Sequence, residues 1–573
     1  MKLQHLKVSR FRGIRELDWT PPSDFICLIG AGDACKSAIL DAADLVLSPR
    51  WNPGFDDSDF FGGDTTQPIL VEATVSALPI ELISDKKWGR QTRGWGKDGL
   101  HDEPIEGDVE ALTIRLTVGA DLEPQWTVVN DRLDEPIRIR AQDRELLGVA
   151  RLGAFVDSHL SWSRNSVLTR LTESSQGISS VLASAARAAK AVMAGGQVVT
   201  PKSLTDAASK AEELGESLAV PSQHGFTPNL DTAAIGVSAG ALTLHDGDVP
   251  LRRAGLGTKR LLALAMQRQL SKAGGILLVD EVEHGLEPHR IKRLLRSLRS
   301  GRDHMTKGPF GGNDHVVMTT HSPTVLQELS VHELELVRRT NDGAVSVEPL
   351  PTILQSLLRR SPDSFLGRKV IVCEGKTEMG VTRALDDMWA GSGEPFALMG
   401  VNLAYGNGSE APGIADSFKG LGYPTALLCD SDRDLSPSVD EMQKRGIEVI
   451  QWSGGLRIEQ RIINDLPTAG VNELIQLAMS YTSEDNVATV LAEALGKARS
   501  DFGPSIEEWS KVANSQQTFR DALAKVADAR KWFKSEGPGE AIGKIVVKYY
   551  EEIKDTDLRI KLEQVRNWTR KKI

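Results

Sequence analysis

Apolar residues in the first third of the chain fall in short runs rather than at the three- and four-residue spacing of helices. LKVSRF, FICLIG, ILVEATVSAL, LTIRLTV and PQWTVVN each read as a strand, with Gly- and Asp-rich punctuation such as WNPGFDDSDFFGGD between them. One early helix, SAILDAADLVL, follows Lys36. From about Ser166 to Leu218 the pattern changes to Ala-rich segments with Leu and Val at helical spacing, a candidate dimerisation arm. ILLVD (276–280) and VVMTTH (316–321) restore strands flanked by helical stretches, so an α/β layout resumes. A second α/β unit begins near Gly367 with RKVIVCEGKTE, then YPTALLCDSDRD and IEVIQW. Beyond about Ala469 the chain is mostly helical.

This patterning predicts an α/β fold in five regions. They are a first lobe over 1–165, a helical insertion over 166–225, a second lobe over 226–355, an α/β domain over 366–465 and a helical region over 466–573. Composition narrows the class. The hydrophobic fraction of 40% and charged fraction of 25% are those of a globular protein and exclude a disordered chain. No apolar run approaches the ~20 residues of a membrane helix, and the opening MKLQHLKVSRFRG lacks a signal-peptide stretch. Cys27, Cys35, Cys373 and Cys429 form no CxxC pair, which argues against a disulfide framework or zinc site. The expectation is a cytoplasmic, reduced protein with no membrane partner.

A net charge of −10 excludes an overall basic coat but not a segregated basic surface. EPHRIKRLLRSLRSGRDH carries five Arg and one Lys between 290 and 302, and reads either as a solvated helix face or as part of a nucleic-acid surface. Candidate phosphate contacts are Arg290, Arg293 and Arg296, with Arg570, Lys571 and Lys572 in the tail.

Candidate chemistry appears at two places. FICLIG runs into GAGDACKS and then a helix, nearly G-x-x-x-x-G-K-[ST] in its strand–loop–helix context. Such a loop turns backbone N–H groups toward a polyphosphate, beginning at Gly30 and Gly32. Lys36 would meet the β- and γ-phosphates and Ser37 would hold Mg²⁺. Cys35 stands where the last glycine belongs, which predicts weak binding and slow hydrolysis of ATP. ILLVDEVEHGLEP then supplies Asp280 for the Mg²⁺ shell and Glu281 to polarise water. His321 follows another strand, and Gly255, Gly257 and Thr258 open a helix in RAGLGTKRLLALAM.

At the second place, Glu374 ends an apolar strand and Glu378 lies one helical turn later. Asp430 ends another strand 56 residues on, with Asp432 on the same side. Carboxylates converging at the ends of parallel strands repel one another unless Mg²⁺ or Mn²⁺ neutralises them. The chemistry that cluster serves is phosphoryl transfer.

The first set, with the opening LKVSRFRGIREL, resembles the ABC-type ATPases of the structural-maintenance, RecF and overcoming-lysogenisation-defect (OLD) group. The resemblance implies ATP with Mg²⁺ sandwiched in a homodimer or higher oligomer, the signature at Gly255, Gly257 and Thr258 completing the other head's site, and His321 sensing the γ-phosphate. The second set is similar to the Toprim domain of topoisomerases, primases and OLD-family nucleases. It implies that Glu374, Glu378, Asp430 and Asp432 are catalytic and metal-binding, with Glu459 and Lys534 as further catalytic positions. The order of the two sets resembles OLD-family nucleases, the group that includes the nuclease subunit of Gabija anti-phage systems. What that implies is a metal-dependent DNA endonuclease governed by nucleotide, acting in anti-phage defence with a helicase or other defence-system partner. Two alternatives stay open: a RecF-like DNA-binding ATPase of DNA repair without cleavage, and a Toprim topoisomerase or primase using the same metal site; for the topoisomerase's tyrosine nucleophile, Tyr549 and Tyr550 lie in an apparent helix without a recognisable catalytic context.

Overall fold

Burial alternates along Lys2–Phe11, with Leu6 and Val8 buried and Lys7 exposed between them, as a sheet with one covered face demands. The computed structural model describes this chain apart from residues 51, 85–86, 134, 154–155, 163–165, 172–175, 195–201, 218–241, 271–273, 300–314 and 572–573. It divides into two compact units. Unit one is Met1–Arg12, Thr20–Phe25 and Ser37–Thr319; unit two is Gly13–Trp19, Ile26–Lys36 and Thr320–Ile573. The division falls at Thr319 and Thr320, so residues 320–355 of the second lobe cluster with the C-terminal half.

In unit one, Lys2–Phe11, Ile69–Ser76, Val109–Val118 and Pro124–Val129 form successive antiparallel pairs, with Val8 opposite Val71 and Val71 opposite Leu116. A second, parallel set joins Ala150–Leu152 to Ile276–Val279 and Ile276–Val279 to His315–Thr319. Its last two strands are buried at every position, as expected of parallel strands covered on both faces. The Ala-rich insertion forms the helices Val167–Leu171, Gln176–Ala194 and Lys202–Ser217, while positions 218–225 lie outside the described residues. Side chains 183–192 are almost all exposed. The basic segment is the helix Pro288–Arg299, which buries Ile291, Leu294, Leu295 and Leu298 and leaves Lys292, Arg293 and Arg296 in solvent.

In unit two, Cys27–Ile29 of the strand Phe25–Ile29 pair in parallel with the strand Leu334–Arg339, which pairs antiparallel with Val345–Pro349. A separate four-stranded parallel sheet runs in the order Val401–Tyr405, Lys369–Cys373, Thr425–Cys429, Glu448–Gln451. The chain leaves the inner strand Lys369–Cys373 to one side and returns on the other, which opens a crevice at the carboxyl ends of the strands. The C-terminal helices share one apolar core with this sheet, in which Trp389, Trp452, Trp509, Phe519 and Phe533 are fully buried. Helices Lys376–Ala390 and Glu536–Lys548 touch almost backbone to backbone. A Cβ on Gly380 would lie 2.4 Å from the Glu540 nitrogen, and one on Gly539 would lie 2.9 Å from the Lys376 carbonyl oxygen. Glycines in GPGEAIG thereby clamp the helix that carries Glu378. Among the described residues no helix is long and apolar enough to cross a membrane. No disulfide joins the four cysteines, and Cys27, Cys373 and Cys429 are buried.

Candidate functional site

The folding of unit one brings Ser37 to Asp280 across 243 residues of sequence: its hydroxyl donates to Asp280 Oδ1 at 3.0 Å. Thr319 donates to the same oxygen at 2.7 Å and accepts from the Glu281 N–H at 2.8 Å. Arg151 reaches Asp280 Oδ2 at 3.3 Å and Asp41 at 2.5 Å. Glu281 has a left-handed φ of 46° and its carboxylate pairs with His284 at 3.3 Å. Arg260, buried on the helix Leu256–Leu270, donates to the carbonyls of Gly153, Asp280 and Glu281. It pins that helix to the Asp280 turn, and burial lowers its pKa. Gly255, Gly257 and Thr258 open that helix. A Cβ on Gly257 would lie 2.4 Å from the Gly285 carbonyl oxygen, and Thr258 accepts from Arg290 at 3.4 Å.

Unit two holds the glycine-rich loop that the sequence marks as a candidate phosphate loop. Lys36 is buried, and its ammonium donates to the Gly30 and Ala31 carbonyls, each at 2.9 Å. Cys35 has φ 71°, and Asp33 has φ 61°. Both stand in the left-handed region that glycine tolerates best. The strain at Cys35 was anticipated in the sequence; that at Asp33 was not. Burial pushes the Cys35 thiol up, with Arg339 opposing. Gly13 makes room for it, since a Cβ there would lie 2.7 Å from the sulfur. His321 sits exposed just past the strand His315–Thr319.

The acidic residues gather elsewhere in unit two. Strand pairing sets Cys373 beside Leu428, so Glu374 and Asp430 emerge from adjacent strand ends. The Asp430 N–H donates to Glu374 Oε2 at 2.9 Å, and Asp430 Oδ1 accepts from the Ile458 N–H at 2.8 Å. Glu459, one residue into the helix Ile458–Asp465, accepts from Thr377 at 3.0 Å. Glu378 is buried, and its carboxyl is pushed well up, first by burial, then by the charges of Asp430, Glu459 and Glu374. Asp430 is raised to about 7 by burial, Glu374 and Glu459. Asp432 pairs with Arg457 at 2.7 Å; Arg457 also pairs with Asp528 at 2.5 Å, and Asp528 with Lys534. Lys534 therefore reaches the cluster through two intervening charges.

The fold thus brings Glu374, Glu378, Asp430, Asp432 and Glu459 together, and places Lys534 at the rim. Sequence reasoning missed Arg433, which pairs with Glu374, and the Arg457–Asp528 link. Arg433 was visible inside DSDRD; Asp528 carried no local signal. As the side chains stand, no group of three or more His, Cys, Asp or Glu among the described residues is arranged to hold a metal ion. The donor chemistry nevertheless suits a hard divalent cation. All are carboxylates, two are pushed up by burial and then by one another's charge, and a cation would offset both.

Tyr549 and Tyr550 are buried, with hydroxyls held by Glu473 and Glu563 rather than by the acidic cluster. Two candidate DNA contacts in the tail are also engaged. Arg570 pairs with Glu394 at 2.5 Å and Lys571 with Glu448 at 2.9 Å, while Lys572 lies outside the described residues.

Residues 183–327 match the family model described as "AAA domain, putative AbiEii toxin, Type IV TA system". That stretch contains the helix Leu256–Leu270, Asp280, Glu281 and His321. Over those residues the chain is similar to an AAA-type ATPase domain. No curated protein matches the chain. Among solved structures, the SMC head domain from Thermotoga maritima is similar at 12% identity and TM-score 0.28, over 61% of this chain and 100% of that one. The Smc head domain with an extended coiled coil, bound to the C-terminal domain of ScpA and derived from Pyrococcus furiosus, is similar at 11% identity and TM-score 0.30, over 61% and 96%. Scores of that size are too low to define a shared fold.

Proposed function

We propose that the protein is a metal-dependent DNA endonuclease whose activity is governed by nucleotide at its AAA/ABC-type head. The observation that carries this reading is the convergence of five carboxylates at adjacent strand ends, with Glu378 and Asp430 both pushed up by burial and mutual charge. Glu374, Glu378, Asp430 and Asp432 would hold Mg²⁺ or Mn²⁺. When bound, such ions activate water and stabilise the leaving oxygen of a phosphodiester. The chain's own part is to aim the acids. The Ile458 N–H fixes Asp430, Thr377 fixes Glu459, and the glycine-paved helix contact fixes Glu378. Arg433 must release Glu374, and Lys534 must leave Asp528 to meet charge on the scissile phosphate.

At the head, Lys36 would turn from the loop carbonyls to the phosphates while Ser37 and Asp280 hold Mg²⁺. Glu281 would leave His284 to orient water. His321 would meet the γ-phosphate, and a second copy's Gly255, Gly257 and Thr258 would close the site, so the working form is a homodimer or larger. The role we infer is defence against phage or other invading DNA, in keeping with the toxin–antitoxin description of the matched family. Any helicase or other defence partner would act on this assembly. A second reading, a DNA-binding ATPase without cleavage, is favoured by the arginines that already neutralise Glu374 and Asp432. The deciding assay incubates supercoiled plasmid with the full chain and Mn²⁺ or Mg²⁺, with and without ATP. Nicking or linearisation that EDTA stops supports the nuclease. Plasmid left intact under every condition supports the second reading.

A further inference from the structure

We infer that the antiparallel sheet of unit one carries a nucleobase pocket on its open face, turned away from the helix that carries Ser37. Strand register separates the two faces of that sheet. Val8, Val71, Leu116 and Trp126 stand opposite one another in a row across four strands. The Trp126 indole N–H donates to the Leu45 carbonyl of the helix Lys36–Leu47 at 3.0 Å, so this row faces that helix. One residue along each strand, Lys7, Glu72 and Arg115 form a second row, and His5, Thr74 and Thr113 form a third. Alternation along a strand puts both of these rows on the opposite face. They line a pocket of about 340 Å³, in the size range of small-ligand sites, together with Asp131 and with Arg93 and Trp95 of a neighbouring strand. None of its lining residues belongs to the candidate nucleotide site or to the acidic cluster.

The demand for a ligand lies in what the pocket leaves unmatched. Arg93 is only 6% exposed. Its Nη2 donates to Asp131 at 2.9 Å and to Asp102, yet its Nε–H is buried with no acceptor among the described residues. Buried donors without an acceptor are rare and unfavourable. At the floor, Thr74 and Thr113 are buried and share one hydrogen bond at 2.9 Å, so one of the two hydroxyls keeps a proton for another acceptor. The half-buried Trp95 ring forms a flat wall, tilted 31° to the His5 ring.

These groups decide the class of ligand. Both arginines are already matched in charge, Arg115 by Glu72 and Arg93 by Asp102 and Asp131. A phosphate or carboxylate would have to displace an acid. An apolar molecule would shut the Arg93 Nε–H and the threonine hydroxyl away from every acceptor. A neutral planar ring with N–H donors and ring acceptors breaks no ion pair and stacks on Trp95. Guanine matches the adjoining Arg93 and Asp131 best. Its O6 and N7 accept from an arginine, while its N1–H and amino group donate to a carboxylate. A free nucleoside and an unpaired base of a single strand share that chemistry.

This pocket depends on neither the nuclease nor the nucleotide reading. Its test is calorimetric titration of guanosine, which has no phosphate, into the full-length protein in EDTA. One site is expected, unchanged in Lys36→Ala and weakened about fivefold or more in Trp95→Ala by the loss of stacking. Thr113→Val keeps the side-chain shape and removes the hydroxyl, and should weaken binding about threefold or more. It keeps the test open should Trp95→Ala fail to fold. Adenosine should bind about fivefold more weakly, and equal binding overturns the guanine assignment. A short guanine-containing single strand that displaces guanosine at lower concentration points to a strand as the source of the base. A strand no better than guanosine points to a free nucleoside; either supports the pocket. A duplex of the same sequence keeps its bases stacked inward and should not displace guanosine. Displacement by the duplex, loss of guanosine binding in Lys36→Ala, binding indifferent to both pocket variants, or no binding of guanosine or single strand overturns the pocket.

Discussion

Asp280 and Asp430 both follow the last residue of a buried parallel strand, yet their surroundings differ in kind. Asp280 has every near oxygen engaged: Ser37 and Thr319 donate to Oδ1, and Arg151 faces Oδ2. Asp430 accepts one backbone N–H, no cation pairs with it among the described residues, and it is raised to about 7. Asp280 in unit one is thus an acid already at rest, and the glycine-rich loop of unit two carries strained Asp33 and Cys35. The acidic cluster stores unfavourable charge that an added cation would relieve. Charge balance therefore separates the two acids: Asp280 in unit one already has its partners, while the carboxylates of unit two carry the demand for a ligand.

The sharpest way to break this contrast is to remove carboxylates from the cluster. Glu374→Ala and Asp430→Ala should each reduce metal-dependent DNA cleavage by about a thousandfold or more. Thermal melts in EDTA should show unchanged or higher stability, because each substitution deletes charge from a repelling set. Variants that fold, yet cleave at the wild-type rate, would remove the cluster from the chemistry.

The phosphate loop supplies the next effect. Left-handed φ costs a non-glycine residue ~1–2 kcal/mol, or about five- to thirtyfold in an equilibrium that relaxes it. Cys35→Gly should tighten ATP binding by about that factor, and Asp33→Gly by at least as much, since it also removes a carboxylate beside the phosphates. ATP titration followed by phosphate-release assays checks both. Equal affinities in all three proteins would mean that the loop carries the strain at no cost to binding.

These two regions also show what was legible in the sequence. Strand cores such as ILLV and VIVC and the motifs at their ends could be read because one short segment sets both backbone and chemistry. Glu378 and Asp430 were visible as a pair because strand–loop–helix spacing fixes their side. Asp33 was missed because a glycine-rich string reads as permissive, and nothing local says which of its positions carries a positive φ. Arg260 was missed because its role, bonding three carbonyls from distant turns, exists only after folding. The Asp528 link likewise depends on helix packing between residues far apart in sequence. The tail cations read as a DNA surface because their partners, Glu394 and Glu448, lie more than a hundred residues away.

Acidity probes the same contrast more gently. The folded Asp430 carboxyl, at about 7, holds its proton above the ordinary aspartate value near 4, so the native state binds more protons than the unfolded chain between them. Stability then falls as pH rises through that window. In EDTA, melting temperature should drop by on the order of 5 °C between about pH 4.5 and 7.5. Asp430→Asn should flatten the slope, and Mn²⁺ should restore stability at the upper end. A wild-type curve that rises across this range would contradict the burial and repulsion assigned to the cluster.

The smallest effect expected concerns Arg433. Its guanidinium pairs with Glu374, so a divalent cation seeking that carboxylate must displace it and then sit beside its positive charge. The arginine is 41% exposed, and exposed ion pairs contribute about 0–1 kcal/mol. Removing it should therefore tighten metal binding by no more than about fivefold. Arg433→Ala should shift a Mn²⁺ titration of the DNA-free protein to lower concentration, while Asp280→Ala should leave that titration unmoved. Loss of affinity in Arg433→Ala would mean that the arginine orders Glu374 for the metal instead of competing with it. The cluster would then be held ready in the same way as Asp280, and the contrast between the two sites would shrink to burial alone.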